Sequence, residues 1–265
     1  MASPDGKAIA FLLRTLQYDV PASAATYIER GRPVSEASVL NLIDLDGAEL
    51  TSFVDVRDYV WSVDGSQIAF TTGHYAGHDE PYTDTATWVA DVARRTRTRL
   101  MTTGNQVAWP AFDRNIYVWT TPAIGGAWVT RVQMPEQRLE KTTFKCIDFS
   151  GSGQYYSCPD GFGPRGGLYR SADQSEVSTP AMASIMAYKA LRWAPRGNLI
   201  WMRASLRSQP SGSFYSTDVL LDLDADTLTD VGRGIVGWAG EGRLLRQGED
   251  GPEVVDVADV ARPVK

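Results

Sequence analysis

Apolar residues along this chain do not recur at helical spacing. They gather into short runs such as Ile9-Ala10-Phe11, Ile68-Ala69-Phe70 and Leu199-Ile200-Trp201-Met202, each entered through a tight, glycine-containing polar turn. A run of that length rich in β-branched and aromatic residues, bounded by Ser, Pro, Asp and Gly, predicts a strand. One ten-residue phrase aligns six times without a gap, beginning at Ala2, Trp61, Trp109, Phe149, Trp193 and Trp238. Trp61-Ser-Val-Asp-Gly-Ser-Gln-Ile-Ala-Phe70 is its clearest copy. The pattern predicts a β-hairpin: a strand ending in a large aromatic, a turn, then a second strand. The fifth position is Gly6, Gly65, Gly153, Gly197 and Gly242, with Asp113 the exception, as expected where the turn requires positive φ. Turn centres therefore fall near residues 5, 64, 112, 152, 196 and 241.

A looser phrase follows each hairpin and predicts a third strand: Val39 to Asp46, Thr87 to Val92, Trp128 to Met134, Leu168 to Ala172, Val219 to Asp224 and Val254 to Val257. A fourth is expected at segments such as Thr96 to Met101 and Leu228 to Val231. The phrase starts are 59, 48, 40, 44 and 45 residues apart. Four strands per unit at that period, six times over, predict an all-β chain: one domain over residues 1–265, a six-bladed β-propeller of four-stranded antiparallel blades. The aromatic at each first position is then expected to be buried between neighbouring sheets.

The Ser-Pro-Asp-Gly-Lys and Trp-Ser-x-Asp-Gly phrases, each followed by an apolar strand and a Val/Leu-x-Asp-Leu/Val strand, resemble the WD-like repeats of TolB-type propellers and of the propeller domain attached to prolyl-oligopeptidase-type peptidases. The resemblance covers essentially the whole chain and departs from the phrase in blades 3, 4 and 6. It implies a fold, because the repeated residues are the ones that build blades. It also implies that loops joining second to third strands, and those joining blades, share one face. That face carries residues 15–36, 72–85, 159–166, 180–189 and 204–213. The first copy lacks an inner strand and only eight residues follow Val257. Closure by residues 261–265 pairing with the N-terminal segment, and membership of a longer polypeptide, are both expectations.

Composition narrows the function. The 26 Lys and Arg against 32 Asp and Glu give a net charge of -6 and offer no field to gather a phosphate backbone, so nucleic acid is excluded as an expected partner. No apolar run is long enough to predict a membrane span. With 2 His, both in the blade 2 loop, and no G-x-S-x-G, no catalytic constellation assembles, so no enzyme activity, cofactor or metal is expected. His74 and His78, with Asp79, Glu80 and Asp84, have metal-ligating chemistry, but Gly77 and Pro81 oppose a helix that would align the imidazoles. Residues 161–166 match G-x-G-x-x-G by letter but lack the strand-to-helix context. Asp222, Asp224 and Asp226 imitate a calcium loop whose sixth and twelfth positions are Thr227 and Arg233. Arg94, Arg95, Arg97 and Arg99 read as a solvated turn.

The expected binding residues are Tyr18, Tyr27, His74, Tyr75, His78, Asp79 and Tyr82, in the two longest insertions, where tyrosines supply amphipathic contact area. The expected function is a non-catalytic module binding a protein, peptide or cell-envelope polymer. The alternatives are an accessory propeller of a larger peptidase or hydrolase, and a lactonase-type hydrolase using carboxylates such as Asp55, Asp58 and Asp148. Centring the fourth turn on Ser152 places Cys146 opposite Cys158. Directly opposed Cβ atoms lie roughly 4.5 to 5.5 Å apart, which favours a disulfide and an extracytoplasmic location, periplasmic or secreted, over two reduced, packed thiols.

Overall fold

A computed structural model of the chain describes residues 1, 3–18, 33–74, 83–121, 126–158, 167–207, 213–240, 242–248 and 251–264. The described residues form six antiparallel sheets, each built around one copy of the sequence phrase, and they divide into two compact units, Met1–Ile147 and Asp148–Lys265.

In the first unit, one sheet holds β1 (Ala8–Tyr18), β2 (Pro33–Asp44) and β3 (Glu49–Val54). The second holds β4 (Val56–Trp61), β5 (Gln67–His74), β6 (Thr83–Asp91) and β7 (Thr96–Met101). The third runs in order through β8 (Gln106–Ala108), β9 (Ile116–Thr120), β10 (Trp128–Gln133) and β11 (Arg138–Lys141). Ala10, Leu40 and Leu42 of the first sheet pack against Ile68 and Phe70 of the second, while Ala69 meets Ile116, Val118 and Val132 of the third. Burying the leucine, isoleucine, valine and phenylalanine side chains among them contributes about 1.5–3 kcal/mol each. The first sheet lacks a full inner strand, as the sequence predicts, and its place is marked by Ser3 N–H donating to Ala8 and Ala10 N–H donating to Met1.

The second unit begins with β12 (Asp148–Phe149), β13 (Tyr155–Cys158) and β14 (Gly167–Arg170). A short 3-10 helix, Pro180–Ser184, leads into β15 (Ile185–Trp193), β16 (Leu199–Arg207), β17 (Phe214–Asp222) and β18 (Thr227–Gly232). The last sheet is β19 (Ile235–Gly240), β20 (Arg243–Gly248) and β21 (Gly251–Asp256). Val257, expected to end a strand, instead opens the single helical turn α1 (Val257–Val260). The chain then forms β22 (Arg262–Pro263), which pairs with the outer edge of β18 through Asp230↔Arg262 and Thr229↔Pro263. This corrects the expected pairing of residues 261–265 with the N-terminal segment: Arg262 and Pro263 pair with the edge of β18 instead.

The hairpin phrase behaves as a turn module. In the second sheet Ser62 N–H donates to Gln67, Gly65 N–H returns to the Ser62 carbonyl, and Asp64 accepts from Ser66 N–H at 3.0 Å. The five phrase glycines all have φ between 67° and 76°. Asp113 does not take up the left-handed conformation, contrary to expectation; its carboxylate accepts from Asn115 N–H and the Tyr117 hydroxyl, and so holds the turn by side-chain bonds.

The first-position aromatics have a shared role. Indole N–H groups of Trp61, Trp193 and Trp238 donate to the carbonyls of Met1, Asp148 and Arg192, at 3.2, 3.0 and 3.1 Å. Each acceptor stands immediately before the first phrase position of the preceding sheet, so the repeat frame fixes the contact. The shared hydrogen bond does not make burial uniform, contrary to expectation: Trp61 is buried while Trp193 and Trp238 are half-buried. Trp109 and Phe149 are half-buried as well, and Trp109 donates within its own hairpin, to Arg114.

Cys146 and Cys158 are joined in a disulfide. The strand register differs from the one that suggested it: Asp148 pairs with Ser157 and Phe149 with Tyr156, so the turn is centred between Ser152 and Gly153. Cys146 precedes β12 and is not directly opposite Cys158. In chain-entropy terms a bridge from 146 to 158 stabilises by about 3 kcal/mol. Cys146→Ala with Cys158→Ala is therefore expected to lower the unfolding free energy by about that amount in urea. An unchanged denaturation midpoint would count against it.

Candidate functional site

The expected binding loops sit at the ends of long hairpins. β1 and β2 pair without interruption from Ala8↔Asp44 to Gln17↔Ser35, with an irregularity before Tyr18↔Pro33. β5 and β6 pair from Gln67↔Asp91 to His74↔Thr83. Strand structure therefore extends into both segments that the sequence assigned to loop, 15–36 and 72–85, and residues 204–207 and 185–189 are likewise strand. Threonines, Leu16 and Tyr18 suit an extended backbone, and a two-stranded arm satisfies its own hydrogen bonds as it leaves the sheet.

Of the seven expected binding residues, His74 is exposed at the end of β5, and Tyr18 is the last residue of β1. Tyr27, Tyr75, His78, Asp79 and Tyr82 lie outside the described residues, as do residues 159–166. The base of the first arm is fastened by charges that the sequence reading did not single out. Arg57 Nη1 lies 2.6 Å from Glu36 Oε1, with the two side chains 13% and 7% exposed, and Arg14 lies 3.8 Å from the same oxygen. Arg14 also donates to the Arg57 carbonyl. The arm thus leaves the sheet from a desolvated ion pair, and it shows the solvent Leu13 and Leu16, which are 57% and 43% exposed. Glu36, Arg14 and Arg57 are far apart in sequence, so no spacing rule reveals them.

Of the carboxylates weighed for hydrolysis, those of Asp58 and Asp148 are engaged in structural hydrogen bonds. Asp58 accepts from Val107 N–H at 2.9 Å, tying β4 to β8, while burial pushes its carboxyl above the ordinary range against the pull of that bond, Tyr59 N–H and Arg14. Asp148 accepts from the Ser157 hydroxyl, and burial again raises its carboxyl. Asp55 adopts φ 57°, with its N–H donating to Ser38 and its carbonyl accepting from Gly73. Asp222 caps a polar turn by accepting from Asp224 and Ala225 N–H, and Asp224 accepts from Asn198. Arg97 and Arg99 lie over the Trp88 ring at 4.7 and 6.0 Å. Among the described residues no three His, Cys, Asp or Glu side chains converge on a point that would hold a metal. No helix among them is long and apolar enough to cross a membrane.

No protein-family model matches the chain, and no curated protein matches it. Solved structures do. TolB from Acinetobacter baumannii superposes with a TM-score of 0.52 at 14% identity, over 98% of this chain and 63% of its own. The β-propeller domain of the Trilobed protease from Pyrococcus furiosus gives 0.50 at 9% identity, over 98% and 97%. A puromycin-hydrolyzing peptidase of Mycobacterium tuberculosis gives 0.54 at 16% identity, over 88% of this chain and 37% of its own. The chain thus spans under two thirds of the TolB chain and of that peptidase. These likenesses identify the fold as a β-propeller related in architecture to TolB and to peptidase propellers.

Proposed function

We propose that the chain closes into a six-bladed ring and acts as a non-catalytic binding module, presenting the arms of the first and second sheets to a protein, peptide or cell-envelope polymer outside the cytoplasm. The observation that carries this reading is the first arm itself: a long hairpin held at its base by the Glu36–Arg57 pair and turning Leu13 and Leu16 outward, next to a second arm ending in exposed His74. Leu13 and Leu16 stand on opposite faces of β1, so the arm offers an exposed apolar side chain on each face, and an arm already held by backbone hydrogen bonds loses little entropy on binding. The disulfide fits an oxidising compartment. Asp58 ties one sheet to the next and Asp148 ties two strands of one sheet, so both carboxylates serve the fold, which favours binding over catalysis. A propeller accessory to a larger hydrolase is the second reading, favoured by the match across nearly all of the Trilobed protease's propeller domain.

Tyr75→Ala with Tyr82→Ala is expected to weaken capture of the partner by about 1 to 2 kcal/mol, as for aromatic hot spots. Affinity capture from the envelope fraction of the source cells, followed by titration of the captured partner, measures this. The reading fails if capture is unchanged while substitutions on the hairpin-turn face abolish it, or if the purified chain hydrolyses a peptide or lactone with saturable kinetics.

A further inference from the structure

A cavity of about 330 Å³ lies between the fourth and fifth sheets, roofed by the 3-10 helix Pro180–Ser184 through Met182 and Ala183. Its walls are apolar: Leu168, Val177, Ile185, Leu191, Met202 and Leu221 are all buried and all line it. Protein interiors close-pack to the density of organic crystals, and an apolar void of about 150 Å³ already admits benzene. This space is larger than packing defects account for and falls at the lower end of the range of small-molecule sites.

The rim is chemically distinct from the walls. Glu176 and Ser178 line the cavity and are exposed to solvent. Among the described residues no cation pairs with the Glu176 carboxylate. Tyr188 lines the cavity on the same side, and its phenol is pushed up to about 12, by burial first and then by neighbouring Tyr169 and Glu176. Tyr169 pairs with Glu176 through the backbone, in an isolated antiparallel bridge, and is not among the residues that line the cavity. A carboxylate near the phenol ring of Tyr188 is an environment for a positive charge: the acid supplies the counter-ion, and an aromatic face attracts cations. An anion would meet repulsion there, and a neutral group would leave the carboxylate without its partner.

We propose that this cavity binds a small hydrophobic amine, with its apolar body among the buried side chains and its ammonium group at Glu176. The site lies wholly within the second unit and does not depend on what the arms of the first and second sheets bind.

The test is a titration of the intact chain, followed by ligand-observed NMR, with three probes of one shape: phenethylamine, phenethyl alcohol and phenylacetate. Phenethylamine is expected to saturate, the alcohol to bind about tenfold more weakly because it lacks the charge-assisted contact, and the anion not to bind. Glu176→Gln, an exposed change that leaves the core untouched, is expected to remove the preference for the amine. Val177→Phe, which fills the cavity, is expected to abolish binding of both, and its melting curve checks that it folds. Equal affinity for amine and alcohol, no saturation by either at millimolar concentration, an amine preference that survives Glu176→Gln, or full binding by a folded Val177→Phe variant would each overturn the proposal.

Discussion

Replacing Arg203 with methionine is expected to destabilise the chain by about 3 to 5 kcal/mol, although the arginine side chain is 49% exposed. The reason lies in what it leaves behind. Asp218 is completely buried in the third strand of the fifth sheet, where Arg203 meets it with two nitrogens, Nε at 2.8 Å and Nη2 at 3.3 Å. The carboxylate oxygen that Nη2 reaches, Oδ2, also accepts from Ile235 N–H at 2.9 Å, and Arg203 Nη2 donates to the Ile235 carbonyl at 3.1 Å. Two side chains of one sheet therefore clasp the first residue of the next. Without the guanidinium a desolvated negative charge has a single amide for company, and that is the costly half of a broken buried pair. Asp218→Asn is expected to cost less, because an amide oxygen still accepts from Ile235 while Arg203 turns to water. Arg203→Met combined with Asp218→Asn should be more stable than Arg203→Met alone. Urea denaturation of the three variants measures this ordering, and an Arg203→Met variant no worse than Asp218→Asn would refute it.

Much of the fold was legible in the sequence because the repeated phrase encodes a local event. A Ser-x-Asp-Gly turn is closed by hydrogen bonds among residues at most five apart, so its position could be read residue by residue, and each of the six sheets contains one copy. The tryptophan contacts follow the same frame from sheet to sheet. What escaped was set by longer-range terms. Placing the fourth turn half a residue too early was enough to put Cys146 opposite Cys158, whereas the observed register offsets them; hydrophobic pattern fixes which face a residue takes and leaves the loop length open. The arms of the first two sheets read as loops because their polar residues carry no apolar alternation, yet backbone pairing alone keeps them extended. For the candidate site, His74 is exposed but ends a strand where the sequence reading placed it in a loop, while the Glu36–Arg57 anchor and the Arg203–Asp218 clasp were invisible. Those pairs join residues from different strands, and a single sequence contains nothing that marks a charge as destined for burial.

Gly104→Ala is expected to be the most damaging single-methyl addition in the first unit. Gly104 sits just before β8 at φ +136°, a conformation that side-chain-bearing residues rarely adopt, and a Cβ there would lie 2.2 Å from Thr87 Oγ1 and 2.8 Å from Val118 Cγ1. Strain of that backbone costs on the order of 1 to 3 kcal/mol, and forcing a methyl into a packed site costs a similar amount. Thr87 cannot easily yield, since it is fully buried and its hydroxyl donates to the Thr103 carbonyl at 2.8 Å, which holds the connection between the second and third sheets against β6. The combined loss is expected to be about 3 kcal/mol or more. Gly47→Ala is the matched control, because Gly47 has φ +85° with nothing within 4 Å of the added methyl and so carries the backbone term alone. Adding Thr87→Ala to Gly104→Ala removes the closest clash and should recover part of the steric loss, leaving a favourable coupling in the double-mutant cycle. If Gly104→Ala melts no lower than Gly47→Ala, the close approach of this connection to Thr87 is not what holds the two sheets in register.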